Sequence, residues 1–156
     1  MSQTRIIPAG TPEQIAIVRR LFREYADAAG ACDCFEGFGK EIAELPGPYG
    51  LPGGQLLLAE RDGRSAGCVA LRKLDDGISE MKRLYVRPEF RGRKLGRQLA
   101  EAIIADARRL GYRAMRLDTL SSMAAARALY QSLGFRAIPR YNDNPGAGII
   151  YLELRL

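Results

Sequence analysis

Apolar residues recur along this chain with two alternating periods, and the periods change at punctuated points. Ile15, Val18, Phe22, Tyr25 and Ala29 mark one helical face that Gly30 ends. Thr11-Pro12-Glu13-Gln14 supplies its start, with Thr11 as N-cap, Pro12 at the first helical position and Gln14 completing a capping box. Arg5 to Pro8 reads as a strand before it, and Phe35 to Leu45 as a second, shorter helix after it. The stretch "PGPYGLPGG", Pro46 to Gly54, is a loop by composition. Gln55 to Arg61 and Ser65 to Leu74 predict a hairpin turning at Asp62-Gly63, and Ile78 to Val86 follows as a longer strand after Asp75-Asp76-Gly77.

The helical period then returns. Leu95, Leu99, Ala102, Ile103 and Leu110 share a face, with Gly111 past the end. Arg113 to Thr119 is a strand, and Ser122 is expected to cap a helix carrying Ala126, Leu129, Tyr130 and Leu133, stopped by Gly134. Phe135 to Ile138 and Ile149 to Leu154 are the last strands, flanking the loop "PRYNDNPGAG". The order predicts a single mixed α/β domain over residues 1–156, with an antiparallel portion and one parallel crossover through the Leu95 helix.

Composition narrows the chemistry. The chain has no histidine, which removes Ser-His, Cys-His and His-ligated zinc chemistry and leaves carboxylate, tyrosine, lysine or a relayed water for proton transfer. Cys32, Cys34 and Cys68 cannot all pair within one chain and read as thiols of a reducing compartment; Cys32-Asp-Cys34, without a second cysteine pair, is not taken as a metal site. The chain opens without the charged-then-apolar order of a signal peptide and contains no apolar run long enough to span a membrane, so a cytoplasmic location is expected.

A net charge of +6 asks for an anionic partner. The charge is concentrated in "RPEFRGRKLGR", where Arg87, Arg91, Arg93, Lys94 and Arg97 face only Glu89, immediately ahead of a helix. A helix start presents unsatisfied N–H groups with partial positive charge, and the neighbouring glycines let a ligand approach the main chain. A diphosphate-sized pocket is expected over Arg91, Gly92, Arg93, Lys94, Leu95, Gly96 and Arg97. Neither the P-loop pattern nor the dinucleotide fingerprint is present.

This segment resembles the pyrophosphate signature of the GNAT superfamily of N-acetyltransferases, Q/R-x-x-G-x-G/A, with Arg91 in the first place, Gly96 in the last and Lys94 where the family usually has its first glycine. "RLYVRPEFRG" is similar to the family's strand-to-loop passage, and "YQSLGF", Tyr130 to Phe135, to its Y-x-x-x-G-F element; Met123 stands where asparagine is frequent. The close matches run from Glu80 to Phe135. The resemblance implies a central, mostly antiparallel sheet of about seven strands flanked by about four helices, and acetyl-CoA as donor. The pantetheine arm would lie along Leu84, Tyr85 and Val86 like an added strand, and Ser122 would replace the missing asparagine contact. It also implies Glu80 as general base, directly or through water, and Tyr130 as the acid that protonates the leaving thiolate.

Strand parity adds to this. Lys82 should share a face with Glu80, while Arg83 should point the other way. Phe35, Tyr49 and Tyr141 are expected to border the acceptor along with Lys82. With Arg140 opening the "RYNDNPG" loop, these cations favour a small amine that also carries an acidic group. A protein lysine or N-terminus, a non-catalytic acetyl-CoA-binding module and a nucleic-acid-binding domain are the competing readings. The last is disfavoured because the charge is gathered at one helix start. No nucleic acid or membrane partner is expected, and since members of the family are often dimers, a homodimer stays open.

Overall fold

A computed structural model describes residues 3–28, 37–144 and 148–156. Phe35 and the Cys32-Asp-Cys34 segment lie outside the described residues. The elements follow in the order β1 (Thr4–Pro8), α1 (Pro12–Ala28), α2 (Phe38–Ala43), β2 (Gln55–Arg61), β3 (Arg64–Asp75), β4 (Ile78–Val86), α3 (Leu95–Arg109), β5 (Ala114–Leu120), α4 (Ala124–Ser132), β6 (Arg136–Ala137) and β7 (Ile149–Arg155).

The strands form one sheet in the order β1-β2-β3-β4-β5-β7-β6. Each neighbouring pair is antiparallel except β4 and β5, which the α3 crossover makes parallel. The expected mixed sheet is thus found. Period-2 alternation divides its side chains between two cores. Leu57, Val69, Leu71, Met81, Met115 and Leu117 pack under α3 and α4. Leu56, Leu58, Cys68, Ala70 and Tyr85 pack under α1 and α2 with Val18, Leu21, Phe22 and Ile42.

The start of α1 follows the capping box closely: Gln14 N donates to Thr11 Oγ1 at 3.2 Å, and Thr11 N donates to Gln14 Oε1 at 3.0 Å. The β2–β3 turn places Asp62 at φ 51° and Gly63 at φ 79°, the pair of left-handed residues that a two-residue hairpin requires. Ser122 does not cap α4. That position falls to Met123, which makes no side-chain capping bond, and Ser122 is exposed ahead of it. Among the described residues, no helix is long and apolar enough to cross a membrane.

Candidate active site

Two irregularities of β4 create the site. The first is the short parallel ladder with β5: pairing runs from Ile78↔Ala114 to Glu80↔Arg116 and then stops. From Met81 onward the two strands part, opening a slot between the two faces of the sheet. The second is a bulge. Cys68 pairs with Tyr85 but Ala70 with Lys82, so β4 holds one residue more than β3 over this stretch. Arg83 takes up the extra residue with φ 60°, a left-handed conformation that is costly for a residue with a Cβ. The bulge shifts the alternation, so that Arg83 shares the α1/α2 face with Lys82 instead of opposing it. There it meets Glu41 of α2 through two bonds of 2.9 Å and lies near the rings of Phe38 and Tyr25. The parity rule fails here because it assumes an unbroken ladder.

A cavity of about 80 Å³ fills the slot, lined by Tyr25, Met81 to Leu84, Leu117 to Thr119, Met123, Ala126 and Tyr130. Tyr130 reaches it from α4. Its ring stands edge-on to Phe135 at 5.7 Å, and its hydroxyl has no hydrogen-bond partner among the described residues. Burial, reinforced by Tyr25 and the Asp118 carboxylate, holds the phenol above its ordinary range, so it stays protonated.

On the α1/α2 side, Glu80 forms the floor and is fully buried. Arg72, its direct cross-strand neighbour, donates Nε to Oε1 at 2.7 Å, and Tyr141 donates its hydroxyl to Oε2 at 2.6 Å. Both oxygens are thus engaged and the side chain has no exposed surface. Burial first, and then the Glu80 charge, push the Tyr141 phenol far up. Lys82 is on the same face as Glu80, as parity required, but its Nζ stops 3.9 Å from Oε1 and donates no hydrogen bond among the described residues.

Two other residues expected at the acceptor side are engaged within the protein. Tyr49 is 2% exposed, stacks edge-on with Phe22 in the second core and does not line the cavity, but its phenol feels the charges of Glu41, Arg83 and Arg72. Arg140 folds back on its own loop, donating Nε to the Asn142 carbonyl and lying 3.6 Å from Asp143. Two other guanidinium groups stand at the site, Arg72 on Glu80 and Arg83, which lines the cavity.

Asp118, which sequence reasoning missed, lines the slot from β5. Its Oδ2 accepts from Asn142 Nδ2 at 2.7 Å and Asn144 Nδ2 at 3.3 Å, while Oδ1 has no partner, and no cation lies within 4 Å of the carboxylate among the described residues. Alternation on β5 could have found it: Met115 and Leu117 are core residues, so Arg116 and Asp118 must face the opposite side.

At the other end of the slot lies the start of α3. Lys94 is its N-cap at φ 61°, with no side-chain capping bond, so the first-turn amides remain open to a ligand. Lys94 thus adopts a glycine-like conformation at the place where glycine is expected. Arg91, Gly92, Arg93 and Lys94 are exposed, and none of the three cations pairs with a carboxylate among the described residues. Arg91 Nε bonds the Val86 carbonyl at 3.0 Å and its guanidinium lies over Tyr85. Leu95 is buried against Phe90 and Ala66, pinning the turn. Gly96 lies against Leu129 and Val86, which sets how near α3 comes to α4. Arg97 is turned aside to Ser132 Oγ at 2.8 Å and to Glu101. Leu84 and Val86 back onto the α3 core, whereas the Tyr85 side chain is held by Glu24 on the far face and can offer a ligand only its main chain. Open amides, free cations and an unpaired strand edge in one line are what a long, diphosphate-bearing thioester requires, so these residues fit that donor.

The model of the acetyltransferase (GNAT) family matches residues 18–135. An uncharacterized N-acetyltransferase of Schizosaccharomyces pombe is 39% identical over 93% of this chain and 90% of its own. The N-acetylaspartate synthetase of Danio rerio is 31% identical over 80% of this chain, which spans only 42% of that longer protein. A Thermoplasma acidophilum N-acetyltransferase solved with coenzyme A shares the fold, with a TM-score of 0.77 at 17% identity over 99% of both chains. The chain belongs to the GNAT family and is an acetyl-CoA-dependent N-acetyltransferase.

Proposed function

We propose that the acceptor is a small primary amine that also bears an acidic group, as an amino-acid-like metabolite does. The observation that carries this reading is Lys82. Its ammonium lines the slot at 18% side-chain exposure, 3.9 Å from a carboxylate whose oxygens Arg72 and Tyr141 already occupy. Glu80 therefore answers one of two nearby cations, and the Lys82 ammonium is left to favour an anionic group on the acceptor. The activity named for the Danio rerio relative, synthesis of N-acetylaspartate, is acetylation of an acceptor of this type.

In this reading Lys94, Arg91, Arg93 and the first amides of α3 hold the diphosphate, and the open edge of Leu84 to Val86 guides the thioester to the slot. Main-chain N–H groups there receive the charge that develops on the thioester oxygen. Tyr130, protonated throughout the neutral range, gives its proton to the departing sulfur. Glu80, Arg72 and Tyr141 keep the floor of the acceptor side in place.

An amine panel followed by release of the CoA thiol tests this. Amino-acid-like amines should exceed spermidine and lysine-rich peptides in kcat/KM; the reverse ranking would overturn the reading and leave the donor unaffected.

A further inference from the structure

The slot has two charged walls of opposite sign. Lys82 on β4 and Asp118 on β5 both line the cavity, yet no ion pair of 4 Å or less joins them. Asp118 is the more exceptional group. The other half-buried or buried carboxylates around the site are answered by guanidinium groups: Glu80 by Arg72, Glu41 by Arg83 and Glu24 by Arg87. Among the described residues, Asp118 has only two neutral amides, both on one oxygen. Those amides fix its orientation without cancelling its charge, and they leave Oδ1 open. Asp118 and Tyr130 line the same cavity, so the carboxylate shares the slot with the phenol that serves the departing sulfur in this reading.

Resting on the acidic-acceptor reading, we infer that the slot is built for the zwitterion of an α-amino acid, with the ammonium on Asp118 and the carboxylate on Lys82. A cavity of about 80 Å³ that carries both charges favours a ligand whose two charges sit on one carbon over one with a longer spacer. The amino-acid side chain then points away from both strands, toward the α1/α2 side.

Asp118 also has the position of the first proton acceptor. Oδ1 takes one proton from the ammonium, which frees the nitrogen lone pair. The nitrogen forms its bond to the acetyl carbon as the carbon–sulfur bond breaks, and Tyr130 protonates the departing sulfur. The surplus nitrogen proton replaces the one that Tyr130 gave up, so only the proton on Asp118 goes to solvent. This assigns the base role to a carboxylate with a free oxygen in the cavity, in place of the enclosed Glu80.

The test uses the full chain and five L-α-amino acids (aspartate, glutamate, leucine, methionine and phenylalanine), the α-carboxamide of each, and γ-aminobutyrate and taurine as amines with a distant acid group. At least one α-amino acid should exceed its carboxamide, γ-aminobutyrate and taurine by tenfold or more in kcat/KM. Lys82→Met should cut the acid-to-carboxamide ratio at least tenfold. Asp118→Asn should lower kcat/KM for acids and carboxamides alike by tenfold or more, with the KM for acetyl-CoA within twofold, and Asp118→Glu should recover part of it. Calorimetric titration of the best amino acid into the enzyme with coenzyme A gives a readout without turnover: both Lys82→Met and Asp118→Asn should weaken binding. Preference for γ-aminobutyrate or taurine would overturn the zwitterion assignment while sparing the acidic-acceptor reading. A fully active Asp118→Asn enzyme that binds the amino acid as well as wild type would overturn the role of Asp118. Should Asp118→Asn not fold, loss of amino-acid binding in Lys82→Met and the carboxamide comparison in wild type still decide the zwitterion.

Discussion

The donor end and the acceptor end of the slot are made differently. The donor end is eleven consecutive residues, Arg87 to Arg97, whose working parts are main-chain amides, a left-handed N-cap and three cations, Arg91, Arg93 and Lys94, that pair with no carboxylate among the described residues. The acceptor end is assembled from β3, β4, β5, α2 and the Tyr141–Asn144 loop, and its parts are side chains held by one another. A short run of chain can hold a phosphate because the helix start supplies the donors. Selecting an acceptor needs charges whose mutual distances only the whole sheet can set. Substitutions should therefore act locally at the first end and spread at the second.

The largest effect is expected at the acceptor floor. Arg72→Met leaves the Glu80 carboxylate buried with only Tyr141 as donor and Lys82 at a distance, which should cost about 3 kcal/mol of stability. A urea midpoint equal to wild type would show that Lys82 replaces the guanidinium and that the network is less interdependent than described. Next is Tyr130→Phe, at the meeting of the two ends. Turnover should fall about a hundredfold while acetyl-CoA affinity is kept. Because burial raises the phenol above its ordinary value near 10, loss of its proton should add no alkaline fall in kcat below pH 10 in wild type. Steady-state kinetics across pH checks both points.

The donor end should respond more mildly. Reversing Arg91 and Lys94 to glutamate should weaken acetyl-CoA binding about tenfold at low salt, and by less as salt screens the exposed site. Calorimetry at two ionic strengths measures it. The smallest change is Lys94→Gly. Removing the Cβ relieves the left-handed strain at φ 61° and should raise stability by up to about 1 kcal/mol, against a modest loss of phosphate affinity. An unchanged melting temperature would mean that the unfolded-state entropy of glycine offsets the relief.

Legibility follows the same division. The helix faces, the capping box, the hairpin and the crossover all rest on residues close in sequence, and each was readable. The basic loop was readable for the same reason. Arg83 was placed on the wrong face because one bulge, invisible in the pattern, reverses parity for everything after it. The burial of Tyr49 was not legible because a Pro/Gly-rich loop hides which of its residues turns inward. Glu80 was legible as a strand carboxylate, but not its enclosure, since that depends on Arg72 and Tyr141 arriving from elsewhere. Asp118 carried a readable parity signal; what could not be read was that no cation among the described residues would answer it.

The three-pair ladder between β4 and β5 has a mechanical consequence. The sheet is two leaves, β1 to β4 and β5 to β7, hinged at one end and open at the other. A thread of donor laid between them would act as a clasp, exchanging bonds with both leaves at the free end. N–H groups of Lys82 to Val86 that point into the gap should then swap deuterium quickly without donor, though they lie mid-sheet, and slowly with it. Cooperative unfolding of this protein should accordingly sharpen when coenzyme A is present, because the clasp turns two leaves into one.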